Sequence, residues 1–505
     1  MGFPLDDAWI HQSIARNLGG HFELSFNRGE LTTGSTSLLW TSILSLNFAF
    51  IKVDPVYFTL TVNILLYFLT ATFLYKLLSK EIDKLTSFII VILFSLTGTV
   101  GFFVFSGMEV FLFYFLSIAS VYFFVEKRFS ITGFLCGLLI LTRPEGLGLF
   151  LIFIVVTLYK SFPKIEKKTM LFLMIPPIIF LGVSVSINFY ISGSFLPTTF
   201  MGRKWLYLLS NKLFYLDLNQ TWSFLSSWCF MIKKYTFGIH KSGSLIINLL
   251  KNGTNYLLFL FIFIGSLRIL KNGLWCYEKK ERKGIFLLFI WSVALNLLYI
   301  FFLPAASHAG RYQPLNYLLV SLTMVLGIQC IAQRVFKRLR FTKGALSLSG
   351  MILLFIFLNN ALFWAEVTKV SIFHINNTHK RMALYLKSHL PENEKVAVFD
   401  IGAIKYFSSQ NIVDLGGLID KKIIPYLFSW NSIPYLQDRG VKYIVLPFFY
   451  HYESENGWKL GFFRKNSKVR LIKIKEFSTP EDIWKLVRDT TYNADPRQIL
   501  FEIKY

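Results

Sequence analysis

The sequence predicts a polytopic α-helical membrane protein that carries an α/β domain at its C-terminal end. Hydrophobic residues make up 54% of the 505 residues and charged residues only 16%, whereas soluble domains contain roughly 25% charged residues. Apolar runs near membrane-spanning length recur from residue 54 to residue 364, and short alternating runs follow from residue 366. These features exclude a water-soluble enzyme, a disordered chain and a disulfide-stapled secreted domain.

Ten apolar segments are predicted to cross the membrane, since a helix needs about 20 apolar residues to do so. They are 54–75, 85–105, 108–125, 130–142, 146–159, 169–191, 246–267, 284–303, 312–333 and 345–364. The pair 130–142 and 146–159 is short and is interrupted by Arg-Pro-Glu-Gly, so we expect two short helices that meet at a turn. Residues 1–53 are expected to form a first outer loop with interfacial helices, and 192–245 a long outer loop.

Basic residues mark one side of the predicted membrane domain. Short loops between the apolar segments hold 20 of the 53 Lys and Arg residues: Lys76, Lys80, Lys84, Lys127, Arg128, Lys160, Lys164, Lys167, Lys168, Arg268, Lys271, Lys279, Lys280, Arg282, Lys283, Arg334, Lys337, Arg338, Arg340 and Lys343. Such loops are cytoplasmic in polytopic proteins. The net charge of +24 therefore indicates topology and contact with the lipid bilayer, not nucleic-acid binding. Ten crossings place both termini on the outer face.

The membrane domain is predicted to comprise residues 1–365 and the outer α/β domain residues 366–505. Predicted strands in the second domain are 395–399, 411–413, 441–446, 469–474 and 499–503, with helices at 374–389 and 480–488. The segment 396–403 reads as a strand that runs into a helix, but it lacks the GxGxxG pattern of a dinucleotide site. The four cysteines are too widely spaced to indicate zinc or a disulfide framework.

Asp6 and Asp7 are the first candidate chemical groups, at the outer end of the membrane domain. Adjacent carboxylates before an apolar run are typical of a helix N-terminus, where they cap free N–H groups. They also suit a general base and its partner, because each raises the pKa of the other. Asp7 and His11 are four residues apart and would share a helix face, where they could hold an acceptor hydroxyl or a divalent ion. The two interpretations are compatible.

Cationic groups recur at other predicted outer ends of the apolar segments. They are Arg143 beside Glu145, the pair Arg203 and Lys204, and the pair His308 and Arg311. Each could simply anchor its helix at the lipid headgroups. Together they could bind a phosphate at the lipid boundary, because the guanidinium group matches phosphate with a fork of donors. Glu109 is predicted to lie at the same membrane level as these cations. It is either a solvated loop end or a group that orients other residues.

Several motifs resemble, in order and spacing, those of the GT-C superfamily of polytopic membrane glycosyltransferases. The motifs are Asp-Asp-Ala-Trp-Ile (6–10), Ser-Thr-Ser-Leu-Leu-Trp (35–40), Gly-Met-Glu (107–109), Leu-Thr-Arg-Pro-Glu-Gly (141–146), Leu-Pro-Thr-Thr-Phe (196–200), Gly-Arg-Tyr (310–312), Asp-Ile-Gly-Ala-Ile-Lys-Tyr-Phe (400–407) and Val-Asp-Leu-Gly-Gly-Leu-Ile-Asp (413–420). Within the superfamily the chain is most similar to bacterial cell-wall arabinofuranosyltransferases. In that family a first transmembrane helix ends just before the two aspartates, so we expect the gene to encode about 20 more apolar residues before Met1.

The resemblance implies glycosyl transfer from a polyprenyl-phosphate donor to a surface glycan or glycolipid, on the outer face of a bacterial inner membrane. It implies Asp6 or Asp7 as the general base; Asp6 is preferred and Asp7 then supports the acceptor or an ion. The implied phosphate-binding groups are Arg143, His308, Arg311 and Lys204. His11, Glu109 and Glu145 are predicted to bind the acceptor or to orient other groups.

An inverting displacement is expected, and a divalent cation is the only cofactor left open, without a dedicated ligand set in the sequence. Two other classes of protein would also need cations and carboxylates at membrane depth. They are a transporter or flippase for a lipid-linked glycan and a glycan-binding membrane protein. Inverted repeats, which would favour a transporter, are not found in the sequence.

Overall fold

A computed structural model describes residues 1–161, 167–208, 212, 216–232, 245–278, 283–336, 339–392, 394–447, 451–454, 457–460, 469–491 and 496–505. The predicted basic loop residues Lys164, Lys279, Lys280, Arg282, Lys337 and Arg338, and parts of the predicted outer loop 192–245, lie outside these residues.

The membrane domain consists of α-helices that follow one another with short connections. They are α1 (Asp7–His21), α2 (Leu38–Leu46), α3 (Pro55–Leu78), α4 (Lys84–Leu96), α5 (Gly98–Phe105), α6 (Val110–Val125), α7 (Phe129–Thr142), α8 (Gly146–Ser161), α9 (Lys167–Ser192), α10 (Thr198–Leu208), α11 (Leu218–Met231), α12 (Leu245–Glu278), α13 (Gly284–Phe302), α14 (Leu315–Val335) and α15 (Leu339–Ile375). Each of the ten predicted spans coincides with one of these helices, or with the pair α4 and α5. The predicted turn between α7 and α8 is present.

Helix length separates two kinds of apolar helix in the described part of the chain. Six helices are long and apolar enough to cross a membrane, and α4 with α5 makes a seventh if the bent pair is one span. The two helices of this pair meet at 57°, where the side-chain oxygen of Asn360 accepts a hydrogen bond of 2.8 Å from the Gly98 amide. The segments at α6, α7 and α8 are shorter, between 10 and 17 residues. The ten predicted segments are therefore all helical, and the two that were predicted to be short are short, but α6 is also shorter than a full span.

The C-terminal part forms the predicted α/β domain. Its helices are α16 (Arg381–His389), α17 (Ile401–Ser408), α18 (Ile424–Phe428), α19 (Ile433–Asp438) and α20 (Glu481–Thr491), and its strands are β1 (Lys395–Val398), β2 (Asn411–Asp414), β3 (Tyr443–Pro447), β4 (His451–Ser454), β5 (Gly457–Leu460), β6 (Arg470–Ser478) and β7 (Arg497–Lys504). The five predicted strands are confirmed as β1, β2, β3, β6 and β7. The short hairpin β4–β5 was not predicted.

The strands form one sheet in the order β2-β1-β3-β7-β6-β5-β4. β1 pairs in parallel with β2 and β3, whereas β3 pairs antiparallel with β7. Val396, Val398, Ile444 and Phe501 are fully buried on this central part of the sheet. The parallel arrangement places the carboxyl ends of β1 and β2 at one edge, where α/β folds commonly bind ligands.

The two domains are joined by a continuous helix and by contacts of residues 1–53. α15 runs through the predicted boundary at residue 365, and a π-helical turn (Asn376–Lys380) connects it to α16. The free edge of β2 is covered by Asn27, whose side-chain amide exchanges hydrogen bonds of 2.8 and 3.0 Å with the backbone of Ile412. Trp9 packs against the rings of Tyr406 and Phe407 on α17. The α/β domain is therefore docked directly on the segment that carries Asp6 and Asp7.

Candidate active site

A polar cavity of about 330 Å³ lies where the membrane helices meet the α/β domain. Its walls come from α1, α10, the connection between α13 and α14, the end of α15 and the turn between β1 and α17. Its polar lining residues are Asp6, Asp7, His11, Thr36, Thr199, Arg203, Tyr207, His308, Arg311, Tyr312, His374, His379 and Asp400. Five of the nine predicted site residues line this cavity: Asp6, Asp7, His11, His308 and Arg311.

Asp7 and Arg311 form an ion pair on the cavity wall, although 303 residues lie between them. The Arg311 side chain is only 3% exposed, whereas that of Asp7 is 32% exposed. Burial alone would raise the pKa of Asp7, but the Arg311 guanidinium, with help from His308, holds that pKa well below its usual range. The Nη1 nitrogen of Arg311 is buried and has no hydrogen-bond partner among the described residues. A buried donor without a partner costs free energy, which an anion bound at this nitrogen would recover.

The remaining cavity cations come from α10 and from the loop before α14. Thr199 and Arg203 are four residues apart on α10, so both face the cavity. The buried hydroxyl of Thr199 also has no partner among the residues that the structure describes. Ser307, Ala309 and Gly310 adopt positive φ, which turns the loop sharply around His308. Arg203, His308 and Arg311 define what we name the cationic end of the cavity.

Asp6 has a different environment from its neighbour. Its two carboxylate oxygens accept hydrogen bonds of 2.7 Å from the backbone N–H groups of Gly402 and Ala403, in the first turn of α17. Burial raises the pKa of Asp6 to about 6, against the opposing effects of His379 and these hydrogen bonds. The predicted helix-capping role is thus present, but the helix that Asp6 caps belongs to the other domain.

Arg143 and Glu109 form a buried ion pair beside the cavity and do not line it. The Nε nitrogen of Arg143 donates to Glu109 at 3.0 Å, and its Nη1 donates to the backbone carbonyls of Arg311 and Tyr312 at 3.2 and 3.3 Å. The Nε2 nitrogen of His11 lies 3.8 Å from the other Glu109 oxygen. Arg143 therefore supports the loop that carries Arg311, whereas the sequence predicted direct phosphate contact.

Lys204 and Glu145 also lie outside the cavity lining. The Lys204 ammonium donates to the backbone carbonyl of Lys212, and Glu145 accepts from the Tyr299 hydroxyl. The cavity is lined by Arg203, the neighbour of Lys204, and not by the predicted Lys204. Helical spacing could have shown this, because Arg203 and not Lys204 shares a face with Thr199.

Sequence reasoning missed a second polar group that lines the same cavity. Asp400 follows β1, and its Oδ2 lies 3.4 Å from His379 Nε2 and accepts a 2.7 Å hydrogen bond from the Gln498 side chain. The sequence signal was present, since Asp400 directly follows a predicted buried strand. We name the part of the cavity that is lined by the carboxylates of Asp6 and Asp400, together with the buried His379, the acidic end.

No three His, Cys, Asp or Glu side chains in the described ranges converge in a way that would hold a metal ion. The divalent cation left open by the sequence stays a prediction.

Fold and site together define a polytopic membrane protein with a polar cavity between a helical domain and a docked α/β domain. The predicted architecture, a polytopic helical membrane domain followed by an α/β domain, is confirmed. The crystal structure of ArnT from Cupriavidus metallidurans in the apo state is similar, with a TM-score of 0.50 and 11% identity over 98% of this chain and 93% of that chain. A second crystal structure, of ArnT from Cupriavidus metallidurans bound to undecaprenyl phosphate, has a TM-score of 0.49 with the same identity and coverage.

Residues 370–498 match a family model described as a domain of unknown function (DUF8728). No curated protein matches the chain.

Proposed function

We propose that this protein is an integral-membrane glycosyltransferase that moves a sugar from a polyprenyl-phosphate donor to a hydroxyl of a cell-surface glycan or glycolipid. The observation that carries the proposal is the ion pair of Asp7 and Arg311 on the cavity wall, together with the unpaired Nη1 of Arg311. Within a single cavity, Asp7 can accept a proton and Arg311 can bind an anion. The GT-C fold and the motifs that resemble this superfamily support the same reaction class.

The donor phosphate is proposed to bind at the cationic end. Arg311 offers a free N–H, Arg203 and His308 lie on the same wall, and the Thr199 hydroxyl is a further unpaired group in the described structure. A charged N–H group donates a strong hydrogen bond to a phosphate oxygen, which fixes the position of the phosphate. The same groups would stabilise the negative charge that develops on the leaving phosphate.

Asp7 is proposed as the general base, although the sequence favoured Asp6. Both oxygens of Asp6 already accept backbone hydrogen bonds from α17, whereas Asp7 is the more available carboxylate next to the phosphate-binding cations. As a phosphate engages Arg311, the guanidinium shares its charge between two anions. The pKa of Asp7, which Arg311 holds low, then rises towards the range that suits proton uptake.

The transfer step is an in-line displacement with inversion. The acceptor oxygen forms a bond to C1 of the sugar while its proton passes to Asp7. The bond between C1 and the phosphate oxygen breaks, and its electron pair stays on the phosphate. The polyprenyl phosphate then leaves from the cationic end, and Asp7 releases its proton to solvent.

The site and the α/β domain are proposed to face the outside of a bacterial cytoplasmic membrane. The proposal rests on the basic loops, which lie on the opposite side of the predicted spans from Asp7. Polyprenyl-phosphate sugars are lipid-soluble donors, so this placement needs no soluble nucleotide.

Binding of undecaprenyl phosphate to the full chain in lipid nanodiscs tests the donor site. Arg311→Ala should weaken binding about 10–100-fold, because a charge-assisted hydrogen bond contributes about 1.5–3 kcal/mol. Arg311→Lys should restore only part of it, since a single ammonium group cannot hold Asp7 and the phosphate in the geometry of the planar guanidinium. Arg28→Ala, which removes an exposed charge from the first outer loop, is the matched control. Equal affinity in Arg311→Ala and the wild type would return Arg311 to a purely structural role.

Turnover separates the enzyme from the other two classes. Polyprenyl phosphates that carry a pentofuranose or a hexopyranose are incubated with the protein and a cell-envelope glycan fraction, and release of sugar-free polyprenyl phosphate is measured. The proposal expects release by the wild type and loss of release in Asp7→Asn. Movement of the donor across the bilayer without release would indicate a flippase, and sugar binding without either would indicate a glycan-binding protein.

A further inference from the structure

The cavity is chemically asymmetric, and only its cationic end is explained by phosphate binding. At the other end, the turn between β1 and α17 brings Asp400 to the wall, beside Asp6 and His379. Nothing in the proposed transfer step uses Asp400 or His379. These groups nevertheless line the same cavity as Asp7.

The hydrogen bonds of Asp400 hold one oxygen and leave the other available. Its Oδ2 contacts His379 Nε2 at 3.4 Å and Gln498 Nε2 at 2.7 Å. Its Oδ1 takes no hydrogen bond within the described part of the chain, and the side chain is 31% exposed. A side chain held on one edge and open on the other is arranged to contact a ligand.

The two groups that hold Asp400 are themselves fixed. His379 is 5% exposed, and its Nδ1 lies 2.8 Å from the Thr378 hydroxyl. Gln498 is 1% exposed on β7, and its Nε2 lies 3.2 Å from His379. The side-chain oxygen of Gln498 is buried without a hydrogen-bond partner among the described residues. The Gln498 amide donates to Asp400, which fixes the direction of the carboxylate.

Asp400 acts as a hydrogen-bond acceptor in this setting. Burial alone would raise the pKa of Asp400, but the hydrogen bond and charge of His379 hold it below the usual value. An ionised carboxylate accepts hydrogen bonds and donates none. Its natural partners in a small polar cavity are hydroxyl groups, and two neighbouring hydroxyls of a sugar can share one carboxylate.

We propose that Asp400 is a substrate-binding residue that accepts hydrogen bonds from sugar hydroxyls, so that the α/β domain supplies sugar recognition to a site whose phosphate recognition comes from the membrane helices. The proposal rests on the glycosyl-transfer function proposed above. It assigns His379 and Gln498 as positioning residues that act through Asp400. The hydroxyls belong to the donor sugar or to the acceptor glycan, and both present the same chemistry to the carboxylate.

The test compares two kinds of probe on the full chain in nanodiscs. Sugar-free undecaprenyl phosphate reports on the cationic end. Undecaprenyl phosphate that carries a pentofuranose or a hexopyranose, and methyl glycosides of the same sugars added with saturating undecaprenyl phosphate, report on the acidic end. Asp400→Asn should weaken one of the two sugar probe sets about 10–100-fold and leave sugar-free undecaprenyl phosphate unchanged. A loss confined to the lipid-linked sugars identifies the donor, and a loss confined to the methyl glycosides identifies the acceptor.

Asp438→Asn is the matched control, because Asp438 is an exposed aspartate of the same domain that does not line the cavity. Asp400→Glu keeps the charge but moves it by one methylene, and it should change the preference between pentose and hexose probes. This variant keeps the test decisive if Asp400→Asn does not fold. Wild-type affinity of Asp400→Asn for every sugar probe would overturn the inference, as would wild-type protein that binds undecaprenyl phosphate but no sugar. Failure of the wild type to bind undecaprenyl phosphate would count instead against the proposed function.

Discussion

The carboxylate of Asp6 lies 2.7 Å from the backbone nitrogen of Gly402, and its second oxygen lies 2.7 Å from that of Ala403. The contact joins the start of the membrane domain to the first turn of a helix 396 residues later. Asp7, its neighbour, turns to Arg311 instead. Two adjacent aspartates of the same motif therefore have separate roles, one in docking the domains and one on the cavity wall.

The first prediction separates these roles. Asp7→Asn should lower turnover about 10²–10⁴-fold, the usual effect of losing a general base, with undecaprenyl phosphate still bound. Asp6→Asn should keep more of the turnover but should increase amide hydrogen exchange in α17, because one of the two backbone N–H groups loses its acceptor. Turnover and exchange are measured on the same preparations. Near-normal transfer by both variants would mean that the catalytic carboxylate lies elsewhere, and a larger loss of turnover in Asp6→Asn would restore Asp6 as the base.

The second prediction concerns the fit of Gly402 against Asp6. A Cβ atom at position 402 would lie 2.1 Å from the Asp6 backbone oxygen, far closer than atoms can approach. Gly402→Ala should therefore push α17 away from α1 and lower the melting temperature. Gly20→Ala is the control, because a Cβ atom there meets nothing within 4 Å. If both variants melt like the wild type, the docking of α17 on Asp6 is not as close as described.

The fold was largely predictable from the sequence, for physical reasons that act locally. Apolar segment length predicts the membrane helices, and alternating residues predict β1, β2, β3, β6 and β7. The hairpin β4–β5 escaped prediction because polar residues such as His451 and Lys459 break its apolar alternation. The bend between α4 and α5 was not predicted, because it involves a hydrogen bond from Gly98 to Asn360 on the distant helix α15.

The candidate site was predictable in its residue types but not in its pairings. Arg143 was an obvious cation, yet its partner Glu109 and the carbonyl of Arg311 come from two other connections between helices. Sequence spacing shows which residues share a helix face, but it does not show which faces of distant helices meet. The position of Asp400 after a predicted strand marked it as a candidate, but only the docking of the α/β domain brings it to this cavity.

The third prediction treats Arg143 as a structural cation. Arg143→Ala leaves the Glu109 carboxylate buried without its partner, which typically costs about 3–5 kcal/mol of stability. The double variant Arg143→Met, Glu109→Gln should recover much of that loss, because no uncompensated charge remains. Thermal melting in detergent measures both. If Arg143→Ala melts normally and instead loses undecaprenyl phosphate binding, Arg143 contacts the phosphate directly, as the sequence first suggested.

The fourth prediction fixes the side of the membrane. A reporter that is active only in the cytoplasm, fused after Tyr505, should be silent, because the basic loops predict that the C-terminal domain lies outside. A second fusion in the basic connection between α8 and α9 should be active. Strong activity at Tyr505 with silence at the inner connection would reverse the topology and place the cavity on the cytoplasmic face.

The last prediction follows from the pKa of Asp6. Burial raises that pKa from the ordinary 3.8 to about 6, so the folded chain holds a proton between these values that the unfolded chain releases. The stability contributed by this group is fully present below about pH 4 and is lost as pH rises through 6. Asp414, whose pKa burial also raises to about 6, acts with the same sign but is unchanged in Asp6→Asn. We therefore expect the wild type to lose more melting temperature between pH 4 and pH 7 than Asp6→Asn does. Identical pH profiles would show that Asp6 is ionised across this range in the folded protein, with its two backbone hydrogen bonds outweighing its burial.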